Sequence, residues 1–295
     1  MRAYLFPGQG SQHVGMGKAL YDYSSRARRM FDKADQLLDL ELSQLMLEGS
    51  AQDLQKTTIA QPAIFVHSIV TVSVMDSFHP AAVAGHSLGE IAALVASRVL
   101  TFEDGLRLVM VRAEAMQKAC QLEPGKMVAV LGLTDKIVEE ICAAVTQEVV
   151  VPANYNCPGQ IIISGNESGI NLVMASLKEA GGKLIPLQVG GGFHSPLMQS
   201  AQQALASMLS SVDFSKGICP IYQNATGLPV TDPEKIKQHL LQQLTAPVYW
   251  TATIQQMVKD GMTVFVECGP GNVLQGLVRK IAPSMAVLHS MPNAV

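Results

Sequence analysis

The sequence predicts an α/β fold built on a mostly parallel sheet, with a smaller unit inserted into it. Three observations carry that prediction. Short apolar runs alternate with helical stretches on both sides of a central segment. A serine flanked by glycines, in VAGHSLGE at 83–90, falls between an apolar run and a run of helix formers, where a sharp strand-to-helix turn belongs. Beyond Pro124-Gly125 the order changes to strand, helix, strand, strand, helix, strand, the split βαβ pattern. The chain therefore divides into a large α/β part at 1–124, an inserted small part at 125–190 and the rest of the large part at 191–295.

Each element follows from local pattern. Residues 3–6 are apolar and closed by PGQGSQ, a strand feeding a glycine-rich turn, and 16–46 are helical in texture. The run AQPAIFVHSIVTVSVM at 60–75 is too long for a strand, and proline suits a first helical turn, so a buried helix starting at Pro62 is expected. A strand at 81–84 and a helix at 90–99 put Ser87 on the turn between them. Thr101, with Asp104 three residues on, opens a helix over 102–118 as a capping-box variant. Within the insert, strands are expected at 127–131, 149–153, 160–164 and 183–189. Its helices fall at 134–144 and 168–180, the second stopped by Gly181-Gly182. A helix at 197–209, an apolar run at 218–224 and helices at 234–244 and 248–259 follow. A strand at 263–266 then runs into ECGPG and a last helix at 273–281.

Composition excludes several function classes. With 295 residues, 48% of them hydrophobic, the chain can bury a large core. It carries 24 acidic and 21 basic residues with no basic block, so no nucleic-acid surface is indicated. Five scattered cysteines without a C-x-x-C pair argue against a disulfide framework and a zinc site, and no metal is expected. Pro7 interrupts the N-terminus before a signal-peptide core forms, and no unbroken apolar run reaches membrane-spanning length. The expectation is a soluble cytoplasmic protein without a membrane partner.

Ser87 is the candidate nucleophile, with Gly85 and Gly89 keeping its turn tight and the Leu88 amide facing a developing oxyanion. His86 is adjacent, but neighbouring side chains diverge, so it is a poor base. His194, after three glycines in VGGGFHSPLM, and His13 are the competing bases. His67, in an apolar helix, reads as buried structure. Neither Asp213 nor Asp232 sits where a triad acid belongs, which leaves a Ser-His dyad oriented by a carbonyl or an amide. The turns at 6–12 and 267–271 can present backbone N–H groups but match no nucleotide-binding fingerprint. Arg112, mid-helix among apolar residues, is either a surface residue paired with Glu114 or Asp104, or a clamp for a substrate carboxylate.

Taken together, FPGQGSQ, TTIAQP, GHSLGE, Arg112 followed by Met116-Gln117, NYNCPGQ, His194, PVYW and ECGPG resemble the malonyl-CoA:acyl-carrier-protein transacylase family along essentially the whole chain. The resemblance implies a hydrolase-like core with a ferredoxin-like subdomain. It also implies ping-pong transfer of malonyl from coenzyme A to the phosphopantetheine thiol of acyl carrier protein. Ser87 is then the nucleophile, His194 its base, the Gln9 and Leu88 amides the oxyanion hole and Arg112 the carboxylate clamp. Phe193, Met116 and Asn156 fall in the substrate pocket, and carbonyls around 247–249 orient the histidine. No tightly bound cofactor is implied; the coenzyme A thioester is a substrate, and the enzyme is expected to act as a monomer. Phe193, in GGFH, is nearer the malonyl-selective acyltransferases of polyketide synthases and is expected to narrow the pocket against a methyl branch. Tyr249 replaces a common glutamine or arginine, and Ala113 a common glycine. These departures leave a polyketide pathway open beside fatty-acid synthesis. A serine thioesterase or lipase is disfavoured by Arg112 and the missing acid. A non-catalytic carrier-protein docking module is disfavoured by the intact Ser87, His194 and Gln9 set.

Overall fold

Residues 1–290 are described by a computed structural model. The chain opens with β1 (Arg2–Phe6), α1 (Lys18–Tyr23), α2 (Ser25–Leu38), α3 (Leu42–Glu48), α4 (Ala51–Gln55) and α5 (Thr57–Val74). It continues with β2 (Ala82–Gly85), α6 (Gly89–Ala96) and α7 (Phe102–Leu122). Next come β3 (Gly125–Leu131), α8 (Asp135–Ala143), β4 (Val150–Cys157), β5 (Gln160–Asn166), α9 (Glu167–Glu179) and β6 (Lys183–Pro186). The remainder is α10 (Gln199–Leu209), β7 (Ile221–Tyr222), β8 (Pro229–Val230), α11 (Pro233–Gln242), α12 (Trp250–Lys259), β9 (Val264–Glu267), α13 (Val273–Ile281) and β10 (Ala286–His289).

Two sheets result, and the α/β class is borne out. The larger has the order β10-β9-β1-β2-β7-β8, parallel throughout except for the short edge strand β8. The smaller has the order β4-β5-β3-β6 and is antiparallel throughout. Strand periodicity sends alternate residues to opposite faces, and both faces of β1 are buried. Tyr4 and Phe6 join the core formed with α5 to α7, while Ala3 and Leu5 join the core that holds Trp250 and Phe265. The small sheet is two-faced in the same way. Val128, Val130, Ile161 and Ile163 pack under α8 and α9, whereas Met127, Ala129 and Ile162 turn toward the main core.

Several expected boundaries move. Helix α5 starts at Thr57 instead of Pro62, because the Lys56 carbonyl accepts from Ile59 and Ala60 and starts the turn earlier. Pro62 then sits inside the helix, and tertiary burial along the helix overrides the lost backbone bond. The 18 residues of α5 are long and apolar enough for a membrane crossing by composition, but 72% of them are buried inside the protein. Strand β4 runs on through Asn154–Tyr155–Asn156, whose polar side chains hid it, with register shifts against β5. Helix α12 starts at Trp250, two residues later than expected, because Val248 exchanges backbone bonds with Ala153 and Tyr155. The run at 218–224 contracts to β7 and the strand at 183–189 ends at Pro186, while β8 and β10 were not foreseen. All five cysteines are buried and free.

The turn at Ser87 exists because three backbones meet there. A Cβ on Gly85 would lie 1.9 Å from the Gly89 carbonyl group, and one on Gly89 would lie 2.0 Å from the Phe6 oxygen. Gly89→Ala is therefore expected to destabilise the fold by about 3 kcal/mol or more, at the upper end of overpacking costs. Urea denaturation of the variant measures this; a loss under about 1 kcal/mol contradicts the close approach.

Candidate active site

Ser87 occupies the turn between the carboxyl end of β2 and α6 with φ 53°, a strained conformation for a residue with a side chain. Hydrogen bonds over-determine it. Its N–H donates to Asn224 Oδ1 at 2.6 Å, and its carbonyl accepts from Gln243 Nε2 at 3.0 Å. Asn224 follows β7, the neighbouring strand, and its Nδ2 donates to the Gly85 carbonyl at 2.6 Å. The Asn224 amide donates in turn to Glu90 Oε2 at 2.7 Å, and Gln223 Nε2 donates to Oε1 at 3.1 Å. Glu90 is wholly buried. Burial pushes its carboxyl up from the ordinary range, opposed by hydrogen bonds from Asn224, Gln223 and Gln243 and by the charge of Arg112.

The candidate base, His194, is brought to Ser87 from 107 residues away. His194 Nε2 lies 2.8 Å from Ser87 Oγ, and Nδ1 lies 2.9 Å from the Gln243 carbonyl. Nδ1 therefore carries the hydrogen, and Nε2 accepts from the serine hydroxyl. The orienting carbonyl is Gln243, not the expected group at 247–249. Gln243 follows the last residue of α11, where helix carbonyls lack intrahelical donors. At 247–249, Val248 pairs with Ala153 and Tyr155, and the Tyr249 amide donates to the Asn224 carbonyl at 3.0 Å. Burial and then the charge of Arg112 lower the His194 imidazole to about 3, opposed by the Gln243 and Ala246 carbonyls.

Arg112 is 1% exposed. Its Nη1 donates to Gln61 Oε1 at 2.8 Å, and its Nη2 donates to Ser87 Oγ and to Gln243 Oε1, both at 3.0 Å. Its Nε is buried with no partner. The surface ion pair weighed from the sequence is overturned. Asp104 bonds Thr101 and lies near Arg107, while Glu114 is exposed. Burial lowers the guanidinium to about 10, with Glu90 acting the other way, so it stays charged at neutral pH.

A cavity of about 380 Å³ opens over these groups. One wall comes from Gln9, Ser87, Leu88 and Arg112; the other comes from Met127, Ala129 and Ile162 of the small sheet. His194, Phe193, Met116 and Asn156 line it as well, so all eight sequence-predicted site residues converge. The Gln9 and Leu88 amides donate to no acceptor among the described residues. Met116 sulfur accepts from Gln61 Nε2 at 3.4 Å. His86 faces Asn156 Oδ1 at 2.9 Å and packs on Trp250, which removes it as a base. His13 lines a separate cavity with His67 and His289.

Four residues of the site had no reading of their own in the sequence. Gln61 and Glu90 sit inside motifs that were noticed for other reasons. Asn224 and Gln243 carried no signal, since a polar residue after a strand or at a helix end reads as solvated surface.

A hydroxyl held by a neutral imidazole, two unpaired amides and a buried cation on an α/β scaffold is the equipment of serine-dependent acyl transfer. Residues 3–292 match the acyl transferase domain, and the chain belongs to that family. It is 42% identical over 287 residues to the malonyl CoA-acyl carrier protein transacylase of Bacillus subtilis strain 168, covering 95% of this chain and 90% of that one. The crystal structure of an acyl carrier protein S-malonyltransferase from Vibrio cholerae superposes with a TM-score of 0.95 at 37% identity, covering 100% of this chain and 97% of that one. A malonyl-transacylase in complex with its type II polyketide acyl-carrier protein aligns with a TM-score of 0.94 at 33% identity, covering 100% and 96%.

The neutral imidazole yields a direct expectation. Because burial and Arg112 both disfavour its charged form, His194 should stay deprotonated from pH 8 down to about pH 5. Its Cε1–H resonance, assigned by comparison with His194→Asn, should not titrate in that window; a midpoint near 6.5 contradicts the burial argument.

Proposed function

We propose that this chain transfers malonyl from malonyl-CoA to the phosphopantetheine thiol of an acyl carrier protein. Ser87 Oγ attacks the thioester carbonyl while its proton passes to His194 Nε2. The Gln9 and Leu88 amides hold the oxyanion. The C–S bond breaks, and coenzyme A leaves with the proton from His194. The carrier thiol then gives its proton to His194 and attacks the malonyl-serine ester; the C–O bond breaks and Ser87 Oγ takes that proton back from His194. Coenzyme A thioester is a substrate here, and no step needs a bound cofactor.

One observation carries the reading: a buried guanidinium, without a carboxylate at ion-pair distance among the described residues, donates to the nucleophile's own oxygen at 3.0 Å. A carboxylate one methylene from the thioester carbonyl suits a cation that close; a longer diacid would overshoot it. Family membership and the carrier-protein complex of a structural neighbour support the same substrate and partner. We also assign a hydrolase-like core to 1–124 and 191–295 and a ferredoxin-like subdomain to 125–190. The strand order β4-β5-β3-β6 and the sequence βαββαβ support the second assignment. Phe193, Met116 and Asn156 line the pocket around the acyl group in this reading. Fatty-acid synthesis is the proposed pathway. The polyketide carrier protein bound by that same neighbour favours the second reading, the same transfer serving a polyketide pathway.

Wild type incubated with labelled malonyl-CoA should gain a malonyl adduct by intact mass and lose it on adding holo carrier protein. Ser87→Ala should gain none, and an adduct retained by the variant refutes the nucleophile. Arg112→Ala should lower kcat/KM for malonyl-CoA roughly 100-fold, on the order of 3 kcal/mol, and affect acetyl-CoA far less. Equal losses on both thioesters would disprove the clamp.

A further inference from the structure

We infer that Gln61 and Gln243 set acyl specificity by aiming Arg112 without neutralising it. The inference rests on the malonyl-transfer reading and adds two residues to it. Buried arginines are ordinarily matched by a carboxylate in contact, since an unpaired buried charge is costly. Among the described residues, no carboxylate lies within ion-pair distance of Arg112. The contacts that fix the guanidinium are instead two amide oxygens, Gln61 Oε1 at 2.8 Å and Gln243 Oε1 at 3.0 Å.

Both amides are themselves oriented. Gln61 Nε2 donates to Met116 sulfur and Gln243 Nε2 to the Ser87 carbonyl, so each turns its oxygen toward the cation. Both side chains are buried, one on α5 and the other just beyond α11, and they bracket the fork from two sides. Charge compensation comes from further off. Glu90 is buried, attracts Arg112 electrostatically and is occupied by Asn224 and Gln223 rather than by the guanidinium. The fork is thus pre-aimed and keeps its full charge for an incoming carboxylate. A glutamate at either position has the same shape and would form the ion pair internally. The malonyl carboxylate would then meet an occupied cation and a like charge.

The experiment uses the full chain and the ratio of kcat/KM for malonyl-CoA to that for acetyl-CoA, with holo carrier protein as acceptor. Gln61→Glu should lower that ratio at least tenfold, chiefly through KM for malonyl-CoA. Gln61→Met, similar in shape and uncharged, should hold the ratio within about threefold of wild type even if kcat falls. Gln243→Glu meets the other side of the fork; it should act as Gln61→Glu does and replaces it if that variant does not fold. A glutamate variant that keeps the wild-type ratio overturns the inference. So does an equal loss in Gln61→Glu and Gln61→Met, which makes Gln61 a packing residue only. Wild type with no preference for malonyl-CoA would instead remove the malonyl-transfer reading itself, before any variant is compared.

Discussion

A single buried positive charge organises this molecule. Taking a guanidinium out of water costs several kcal/mol, and the fold offsets that through neutral donors and acceptors and one distant carboxylate. Gln61, Gln243 and the Ser87 hydroxyl surround Arg112, and Glu90 supplies the compensating field. The same charge helps keep the His194 imidazole neutral. Three helices meet at this point because α5, α7 and the end of α11 each contribute one side of the arrangement.

The conformation of Ser87 depends on a second constraint, the tight passage from β2 into α6. Gly85 and Gly89 admit neighbouring backbone at distances no side chain tolerates, and that proximity holds Ser87 at a left-handed φ. Asn224 bridges the turn by accepting from Ser87 and donating to Gly85, and Glu90 anchors Asn224. Strain at Ser87 is thereby held by the sheet beneath it, because Asn224 follows a strand paired to β2. Gln9 and Leu88 extend from the same carboxyl-terminal edge, the usual place for a site in a parallel sheet.

The smaller sheet makes a pocket out of this edge. Met127, Ala129 and Ile162 form an apolar wall facing the polar floor of Ser87, His194 and Arg112. The acyl-serine ester of the proposed mechanism would lie beneath this wall, shielded from water, which favours transfer over hydrolysis. The backbone pairing of Val248 with Ala153 and Tyr155 ties the wall to the large part of the chain. The same tie occupies the Val248 carbonyl, while the Gln243 carbonyl accepts from the histidine.

Much of this was legible because the relevant physics is local. The Gly-x-Ser-x-Gly turn, the continuous apolar run of β1, and the glycines before His194 each act within a few residues. Polar strand residues hid the end of β4, and the two-residue β8 is too short to show a period. For Arg112 the residues alone favoured surface pairing over substrate clamping and the family resemblance reversed that order; its burial among Gln61, Ser87 and Gln243 then removes the surface pair. Those partners lie 51, 25 and 131 positions away in the chain. The sequence by itself determined the glycine-bound turn at Ser87 and the class of fold, and its family resemblance pointed to eight of the residues that line the pocket. The tertiary structure alone decided which carbonyl orients the base and which neutral amides hold the cation. Such choices are made by whichever hydrogen-bonding groups packing leaves free at the point of contact.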